Sequence, residues 1–319
     1  MDAAAYRPRP QGTVAGGALV LEHLRVAGMR LRIGHLPAPA SGGPGTVVVL
    51  PGRAEFIEKY GEVMAALRDW GYAVAILDWR GQGGSDRFLP LRHRGHVAQV
   101  EDYLADLDAL VARVAALGLP GPHLILSHSM GGHIGLRYLH DHPGRFAAAA
   151  MVAPMFGIRL APTPEPLARL LCDAAIRLGG GWRYAPGQRD FMIERYRFAR
   201  NRLTSSPERH AVLRSHVAAT PELALGGVTY VWLGAALRSL QLTRRPGYLE
   251  AIPTPILVCQ AGAERIVSNR AQVLTVRRLP RARLIVFPGG RHELLMERDE
   301  IRDPVLAAIR AFLAEPVRP

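Results

Sequence analysis

The sequence predicts an α/β protein with a mostly parallel sheet, helices on both faces of it and a helical segment inserted into the chain. Short apolar runs of strand length alternate with longer segments of helical periodicity, which is typical of βαβ units. This alternation stops over residues 155–227 and then resumes. At 319 residues, 49% of them hydrophobic, the chain is long enough to bury a large core in one or two domains.

The elements of the first part follow from apolar spacing and turn residues. Residues 1–16 are rich in proline and glycine and are interpreted as a loose lead-in, followed by a hairpin around Gly28 and a turn-rich connector over 37–45. Continuous apolar runs predict buried strands at 46–50, 72–77, 124–127 and 146–152. Helical spacing predicts helices at 56–70, 97–117 and 134–139.

Residues 155–227 are predicted to form a helical cap between two parts of an α/β core, 17–154 and 228–319. The cap segment contains many prolines, has no strand pattern and includes amphipathic stretches such as 167–178. After it, the sequence predicts a helix at 229–240, strands at 254–259 and 281–287, and a closing helix at 301–313.

Charge and cysteine content exclude several classes of protein. The formal net charge of +13 comes almost entirely from arginine, since Lys59 is the only lysine. The arginines are dispersed rather than gathered with aromatic residues into a basic block, so nucleic acid is not an expected partner. Attraction to an anionic membrane surface stays open. Cys172 and Cys259 form no Cys-x-x-Cys pair, so neither a disulfide framework nor a zinc site is expected.

The same features predict a cytoplasmic location, with the inner face of the membrane as a peripheral alternative. The first residues lack the apolar stretch of a secretory signal. Apolar runs in the chain are shorter than the roughly 18 residues that span a bilayer.

The stretch 124–134 carries the first chemical signal. An apolar strand runs into Ser-His-Ser-Met-Gly-Gly, and a helix follows, which is the layout of a nucleophile elbow. Ser129 is preferred to Ser127 as the nucleophile because only Ser129 has a glycine two residues later and a helix beginning behind it. A serine-rich turn without chemistry is the alternative interpretation.

A serine nucleophile needs a base, and His292 has the expected position. It follows the predicted strand 281–287 across a Pro-Gly-Gly-Arg turn. A surface histidine that caps the next helix is the alternative. Met296 stands where a zinc-protease helix needs its second histidine, so no metal is expected.

The base in turn needs an acid that orients it, and Glu264 is the candidate. It is the only carboxylate in the loop after the predicted strand 254–259. The loop after Val152, which such enzymes sometimes use, offers no acid. An ion pair between Glu264 and Arg265 is the alternative.

Two backbone N–H groups are expected to form the oxyanion hole. Met130 follows the nucleophile, and Arg53 lies in the turn after the strand 46–50, where Gly52 permits a sharp bend. The glycine-rich loop 80–86 lacks a phosphate-binding spacing and is interpreted as a structural turn. No role is assigned to four other histidines, His93, His96, His128 and His133.

These motifs resemble the α/β-hydrolases of the monoglyceride lipase and serine aminopeptidase group, and Ser129, Glu264 and His292 carry the resemblance. Within the group, the stretches 51–60, 77–86, 222–230 and 291–297 are similar to the bacterial lysophospholipase L2 type. The resemblance implies the α/β-hydrolase fold and a mobile cap over a cofactor-free site. It also implies hydrolysis, through an acyl-enzyme, of a single-acyl glycerolipid such as a lysophospholipid or a monoacylglycerol. Ser127 replaces a usual glycine, and Glu264 a commoner aspartate.

Other functions use the same three residues. A thioesterase, a small-ester hydrolase and a proline-directed aminopeptidase stay open, as does a non-catalytic binding protein on a hydrolase scaffold. An aminopeptidase would need carboxylates in the cap to hold the substrate amino group, and four are available there: Glu165, Asp173, Asp190 and Glu194.

The cap itself supports a prediction about lipid. Its apolar residues are expected to hold an acyl chain while its arginines face lipid phosphate or an anionic bilayer. The apolar residues are Met155, Phe156, Leu167, Leu170, Leu171, Trp182, Phe191 and Met192. The arginines are Arg189, Arg195, Arg197, Arg200 and Arg202. A self-contained helical bundle with solvated arginines is the alternative.

Overall fold

A computed structural model describes residues 13–14, 17–38, 43–160 and 162–315. Within these residues the chain forms an eight-stranded sheet, eight α-helices and a separate antiparallel pair of two-residue strands, Thr13–Val14 and Gly17–Ala18. The strands are β1 (Val20–Val26), β2 (Met29–Leu36), β3 (Thr46–Leu50), β4 (Ala73–Leu77), β5 (His123–His128), β6 (Ala148–Val152), β7 (Ile256–Ala261) and β8 (Ala282–Phe287). The helices are α1 (Gly61–Asp69), α2 (Glu101–Ala116), α3 (Met130–Asp141), α4 (Glu165–Arg177), α5 (Pro207–Ala219), α6 (Tyr230–Thr243), α7 (Asn269–Val276) and α8 (Asp299–Leu313).

The sheet is mostly parallel, as predicted. Its strand order is β8-β7-β6-β5-β3-β4-β2-β1. The six strands from β8 to β4 pair in parallel, whereas β2 joins β4 and β1 joins β2 as antiparallel strands. The predicted α/β class is therefore confirmed. The parallel strands end at one common edge, so the loops after β3, β5, β7 and β8 lie close together.

The central strands are buried on both faces, which explains their continuous apolar sequences. In β3 the side chains alternate between two core layers. Val48 and Leu50 pack in the layer that contains residues of α2 and α3. Val47 and Val49 pack in the other layer, against residues of α1 and α8.

Cys259, on β7, is free and buried, as is Cys172 on α4.

The segment 155–227 contains α4, α5 and 3₁₀ turns at Phe198–Arg200 and Pro221–Leu223. Helix α4 buries Ala168 and Cys172, and Ala168 packs against Leu237 of α6. Helix α4 thus shares a hydrophobic cluster with a helix of the second predicted core part. The division of the chain into core and cap stays a prediction.

Two helical regions differ from the predicted elements. The predicted helix 56–70 is a 3₁₀ turn, Ile57–Tyr60, followed by α1. Helix α7 was missed because it buries only Gln272 and has no apolar stripe. Apart from 13–14, the predicted lead-in 1–16 lies outside the described residues, as do 39–42 of the connector and residue 161 of the cap. In the part of the chain that the structure covers, no helix is long and apolar enough to cross a membrane.

Candidate active site

Ser129 sits in a strained turn between β5 and α3. Its φ is 50° and its ψ is −114°, a conformation that costs a non-glycine residue about 1–3 kcal/mol. The turn also needs the glycines that follow. A Cβ at Gly131 would lie 2.1 Å from the carbonyl oxygen of Leu50, and one at Gly132 would lie 2.7 Å from Cβ of Pro154. The local sequence therefore permits a close approach that presents Ser129 at the edge of the sheet.

The three predicted site residues form one chain of hydrogen bonds. Oγ of Ser129 lies 2.9 Å from Nε2 of His292, and Nδ1 of His292 lies 2.7 Å from Oε2 of Glu264. All three residues are buried. With Nδ1–H donating to the carboxylate, Nε2 is free to accept the hydroxyl proton of Ser129. The structure thus brings the three residues together, and their catalytic roles stay a prediction.

Both carboxylate oxygens of Glu264 accept hydrogen bonds. Oε1 accepts backbone N–H groups from Arg265, Ile266 and Val267 at 2.8, 2.7 and 3.2 Å. Burial raises the pKa of Glu264, but its hydrogen bond to His292, the charge of His292 and the backbone donors outweigh burial and hold that pKa below its usual value. Glu264 is therefore an ionised acceptor at neutral pH. Arg265 supplies a backbone N–H to it.

In the turn after β3, the N–H of Arg53 lies between two N–H groups that already donate hydrogen bonds. Gly52 N–H donates to Oε2 of Glu55 at 2.5 Å, and Ala54 N–H donates to Oε1 of Gln82 at 2.6 Å. The N–H of Arg53, between them, has no acceptor among the described residues. Arg53 and Met130, the first residue of α3, both line the cavity at Ser129. This geometry fits the predicted pair of oxyanion donors.

The loop 80–86 is a turn with a positioning role that the sequence did not reveal. Gly81 N–H donates to the carbonyl of Asp86, and Ser85 N–H to that of Gln82. Besides accepting from Ala54, Gln82 places its amide nitrogen 3.8 Å from Sδ of Met130. One side chain thus contacts both sides of the predicted oxyanion hole.

A buried cluster behind the site was also missed, and we call it the Glu55 cluster: Glu55, Lys59, Tyr60, His128 and Glu293. Nζ of Lys59 lies 2.7 Å from Oε1 of Glu55 and 2.7 Å from Oε1 of Glu293. The hydroxyl of Tyr60 donates to Oε2 of Glu55 at 2.6 Å. Burial lowers the pKa of Lys59, but the charges of Glu293 and Glu55 outweigh it and hold that pKa above its usual value. Lys59 is therefore an ammonium between two carboxylates.

His128, to which the sequence analysis assigned no role, is a second cation of the Glu55 cluster and contacts the backbone of His292. Its Nδ1 lies 3.0 Å from Oε2 of Glu55, and its Nε2 lies 3.1 Å from the carbonyl oxygen of His292. Both partners are acceptors, so both ring nitrogens donate and the ring is an imidazolium. Burial lowers the pKa of His128, but the charge and hydrogen bond of Glu55 raise it by more, so that pKa lies above its usual value.

The Glu55 cluster links three loops of the candidate site, because Glu55 follows the predicted oxyanion turn, His128 precedes Ser129 and Glu293 follows His292. One sequence signal pointed to it. Lys59 is the only lysine of an arginine-rich chain and lies four residues after Glu55.

A cavity of about 670 Å³ opens in front of Ser129. Its wall is largely apolar and includes Met155, Leu171 and Phe191 of the predicted lipid-binding set. The four cap carboxylates considered for an aminopeptidase are not among the lining residues. Of the acids in the described wall, Glu55 and Glu293 are both paired with Lys59.

Fold and site together define an α/β-hydrolase with a serine-centred site. The sequence matches the family described as serine aminopeptidase, S33 over residues 44–299, and the chain belongs to this family. It is 36% identical to lysophospholipase L2 of Escherichia coli K12 over 276 residues, which cover 83% of this chain and 79% of that protein. It is 31% identical to a probable lysophospholipase L2 of Haemophilus influenzae, with coverage of 89% and 88%.

Solved structures agree on the fold. A soluble variant of monoglyceride lipase from Saccharomyces cerevisiae, bound to a substrate analogue, superposes with a TM-score of 0.76 at 16% identity, over 99% of this chain and 100% of that one. A carboxyl esterase of Bacillus coagulans superposes with a TM-score of 0.75 at 17% identity, over 93% and 98%. The α/β-hydrolase fold implied by the sequence resemblance is confirmed.

Proposed function

We propose that this carboxylic ester hydrolase cleaves single-acyl glycerolipids, lysophospholipid or monoacylglycerol, with Ser129 as nucleophile. The observation that carries the proposal is the hydrogen-bonded chain of Ser129, His292 and Glu264 at the end of a largely apolar cavity. The relatives named lysophospholipase L2 support the substrate class. A monoacylglycerol lipase of Mycolicibacterium smegmatis, 26% identical over 80% of this chain and 84% of that protein, supports it further.

In the acylation half, His292 Nε2 takes the proton of Ser129 as Oγ attacks the ester carbonyl carbon. The carbonyl oxygen becomes an oxyanion that accepts from the N–H groups of Arg53 and Met130. Glu264 stabilises the imidazolium of His292. The carbon–oxygen bond to glycerol then breaks, the leaving oxygen takes the proton from His292, and an acyl-Ser129 ester remains.

In the deacylation half, water replaces the alcohol. His292 removes a proton from the water as its oxygen attacks the acyl carbon, and the same two N–H groups hold the second oxyanion. The bond to Oγ of Ser129 breaks, Ser129 regains its proton, and the fatty acid leaves. In both halves, Ser129, His292, Glu264 and the two backbone N–H groups carry out every proton transfer and hold every oxyanion, and water is the only reactant besides the lipid.

The charges of the cavity favour an ester over a peptide substrate. An aminopeptidase must bind a substrate ammonium, and this needs an unpaired carboxylate. Of the cap carboxylates, Glu165 is paired with Arg244 at 2.8 Å, and Asp173 lies 3.6 Å from Arg238. The acids that line the described wall are already held by Lys59. A neutral or anionic substrate fits this cavity better than a cationic one.

We also propose that the protein meets its lipid at an anionic membrane surface, on the cytoplasmic side. Leu167 and Leu170 on α4, and Leu178 directly after its last residue, are 46%, 62% and 86% exposed. Leu171 is exposed and also lines the cavity, so the exposed apolar face continues into the substrate site. The arginines of 195–202 are exposed, and none has an ion-pair partner in the described part of the chain. Two free cysteines fit a reducing compartment.

The test of the activity is a substrate panel on wild-type protein and the Ser129→Ala variant. The panel contains lysophospholipids, monoacylglycerols, p-nitrophenyl butyrate and aminoacyl amides, and a fluorophosphonate probe reports the nucleophile. The wild type is expected to hydrolyse the single-acyl lipids and to take up the probe. Ser129→Ala is expected to fold, to lose labelling and to lose several orders of magnitude in turnover. Amide cleavage without ester cleavage would reject the proposed substrate class, and a turnover of Ser129→Ala near that of the wild type would reject the nucleophile.

A further inference from the structure

The guanidinium of Arg53 is a cation inside the cavity wall. Four arginines are among the described lining residues: Arg53, Arg159, Arg202 and Arg265. The other three are exposed, whereas Arg53 is half-buried. Its backbone belongs to the predicted oxyanion turn, so its side chain starts beside the reacting carbonyl of the substrate.

Arg53 has no counter-ion in the described part of the chain. Nη1 donates to the carbonyl oxygen of Gly226 at 2.7 Å, and Cζ lies 6.0 Å from the ring centroid of Trp232. A carbonyl and an aromatic ring neutralise no charge. Burial lowers the pKa of Arg53 below its ordinary value, with smaller opposing effects from Tyr103 and Tyr184. A guanidinium has further N–H donors beyond the one used by Gly226, and they are available to an anion in the cavity.

The acids nearby do not compensate this charge. Glu55 and Glu293 bind Lys59, and Glu55 also binds His128. The negative charge of the two carboxylates in the wall is thus balanced within the Glu55 cluster, by Lys59 and His128. A cavity whose remaining charge is positive attracts an anionic ligand over a neutral one of the same shape.

Covalent geometry indicates which part of the substrate reaches Arg53. In a 1-acyl lysophospholipid, a certain number of covalent bonds separates the phosphorus from the ester carbonyl carbon. The same number of bonds separates Cζ of Arg53 from the backbone nitrogen of Arg53. With the oxyanion held by that nitrogen, a headgroup that extends along the side chain brings its phosphate to the guanidinium. Guanidinium and phosphate form the strong, paired hydrogen bonds typical of arginine sites.

We propose that the Arg53 guanidinium binds the headgroup phosphate and selects lysophospholipids over monoacylglycerols. This specificity role rests on the proposed function. It is separate from the backbone role of Arg53 in the oxyanion hole, because a side-chain substitution leaves the N–H in place.

The first test compares kcat/KM on 1-acyl lysophosphatidylglycerol and 1-monoacylglycerol with the same acyl chain, both below their critical micelle concentrations. Arg53→Gln is expected to lower the value for the phospholipid about 10- to 100-fold more than the value for the neutral lipid. Arg53→Lys keeps the charge and is expected to lose less. Arg270→Gln, an exposed arginine away from the cavity, controls for net charge and is expected to leave the ratio unchanged. An equal loss on both lipids in Arg53→Gln would overturn the proposal and leave Arg53 as a tether to Gly226.

The second test needs no lipid hydrolysis. Glycerol 3-phosphate, inorganic phosphate and glycerol are tested as inhibitors of p-nitrophenyl butyrate hydrolysis. Glycerol 3-phosphate is expected to compete, and its inhibition constant is expected to rise about tenfold or more in Arg53→Gln. Equal inhibition of wild type and variant would overturn the role of Arg53. Inorganic phosphate acting as strongly as glycerol 3-phosphate would reject the headgroup as the source of the anion. If no lipid is cleaved, the proposed function fails, while this assay still decides on the anion site.

Discussion

At the residue scale, the site residues are held by backbone contacts as well as by each other. Ser129 N–H donates to the carbonyl of Val152 at 3.1 Å, and its own carbonyl accepts from Met155 at 2.8 Å. His292 is fixed through its carbonyl by His128, and Glu264 through three backbone donors. Such double attachment holds the three side chains in one arrangement, which is the preorganisation that their predicted catalytic roles require.

Glu264→Gln is expected to reduce kcat about 10³- to 10⁴-fold with little change in fold. Both oxygens of Glu264 accept hydrogen bonds, so the amide nitrogen of a glutamine must face either His292 Nδ1–H or the three backbone donors. One set of bonds is lost in either orientation, together with the charge that stabilises imidazolium. Steady-state kinetics and circular dichroism measure the two effects. Glu264→Asp keeps the charge and is expected to lose less, and a nearly unchanged Glu264→Gln would place the acid elsewhere.

Lys59→Met is expected to destabilise the protein by about 3–5 kcal/mol, because it leaves two buried carboxylates without their shared cation. Urea denaturation measures the change. The triple variant Lys59→Met, Glu55→Gln, Glu293→Gln removes the charges together and is expected to recover part of the loss. If Glu55→Gln and Glu293→Gln each lower the stability of Lys59→Met further, so that the triple variant is the least stable, the carboxylates are stabilised by something other than Lys59.

At the element scale, α4 presents its apolar side to solvent. The sequence correctly indicated an amphipathic segment at 167–178, with leucines on one side. In the structure α4 packs on α6 through the small residues Ala168 and Cys172, while Leu167 and Leu170 lie outside. The expectation that these two leucines line an acyl pocket is wrong, whereas Leu171 does line the cavity. An exposed row of leucines on one helix fits an interface with lipid.

Replacing Leu167 and Leu170 with glutamine is expected to weaken binding to anionic vesicles and hydrolysis of long-chain substrate presented in them. Hydrolysis of monomeric p-nitrophenyl butyrate is expected to be unchanged, because neither side chain lines the cavity. Vesicle co-sedimentation and the two activity assays test this. Leu274→Gln, on an equally exposed leucine of α7 at 49%, is the matched control. Equal effects of both changes would mean that α4 has no special contact with lipid.

Charge reversal across Arg195, Arg197 and Arg200 is expected to reduce binding to anionic vesicles, most strongly at low salt. These side chains are exposed and have no carboxylate partner in the described residues, so their charge is available to lipid. Neutral vesicles serve as the control surface. Unchanged binding at low salt would remove the arginines from the proposed membrane contact.

At the scale of the whole molecule, the sequence predicted most elements but not their long-range partners. Continuous apolar runs located the buried strands, and Ser129, His292 and Glu264 could be proposed because each follows a strand in a recognisable turn. The pairing within the Glu55 cluster could not be predicted, since Lys59 and Glu293 are 234 residues apart and no local pattern indicates that they meet. Strand order likewise depends on pairing between distant segments, which periodicity does not encode.

The pH profile of the free energy of unfolding is expected to include opposite contributions from Glu55 and Glu264 on one side and from His128 on the other. Burial raises the pKa values of Glu55 and Glu264, but their positively charged partners and hydrogen bonds hold both below the usual value. Their stabilisation is therefore present above the unfolded pKa of about 4.3 and is lost as pH falls below it. The pKa of His128 is raised, so its contribution is complete below about pH 6.5 and is lost as pH rises through the folded value.

Urea titrations from pH 3.5 to pH 9 measure this profile. His128→Gln cannot titrate, and the difference in stability between wild type and this variant is expected to shrink as pH rises. A constant difference across the alkaline range would show that His128 is not an imidazolium in the folded protein.

The burial of Lys59 gives the protein an internal reporter. Lys59 is the only lysine of the chain and is 3% exposed, so amine-reactive reagents reach its side chain only when the region behind the active site opens. The rate of modification at this position therefore measures a local opening free energy, much as amide exchange does. A ligand that tightens the oxyanion turn and the His292 loop is expected to slow this modification, and mass spectrometry can follow it without any engineered label.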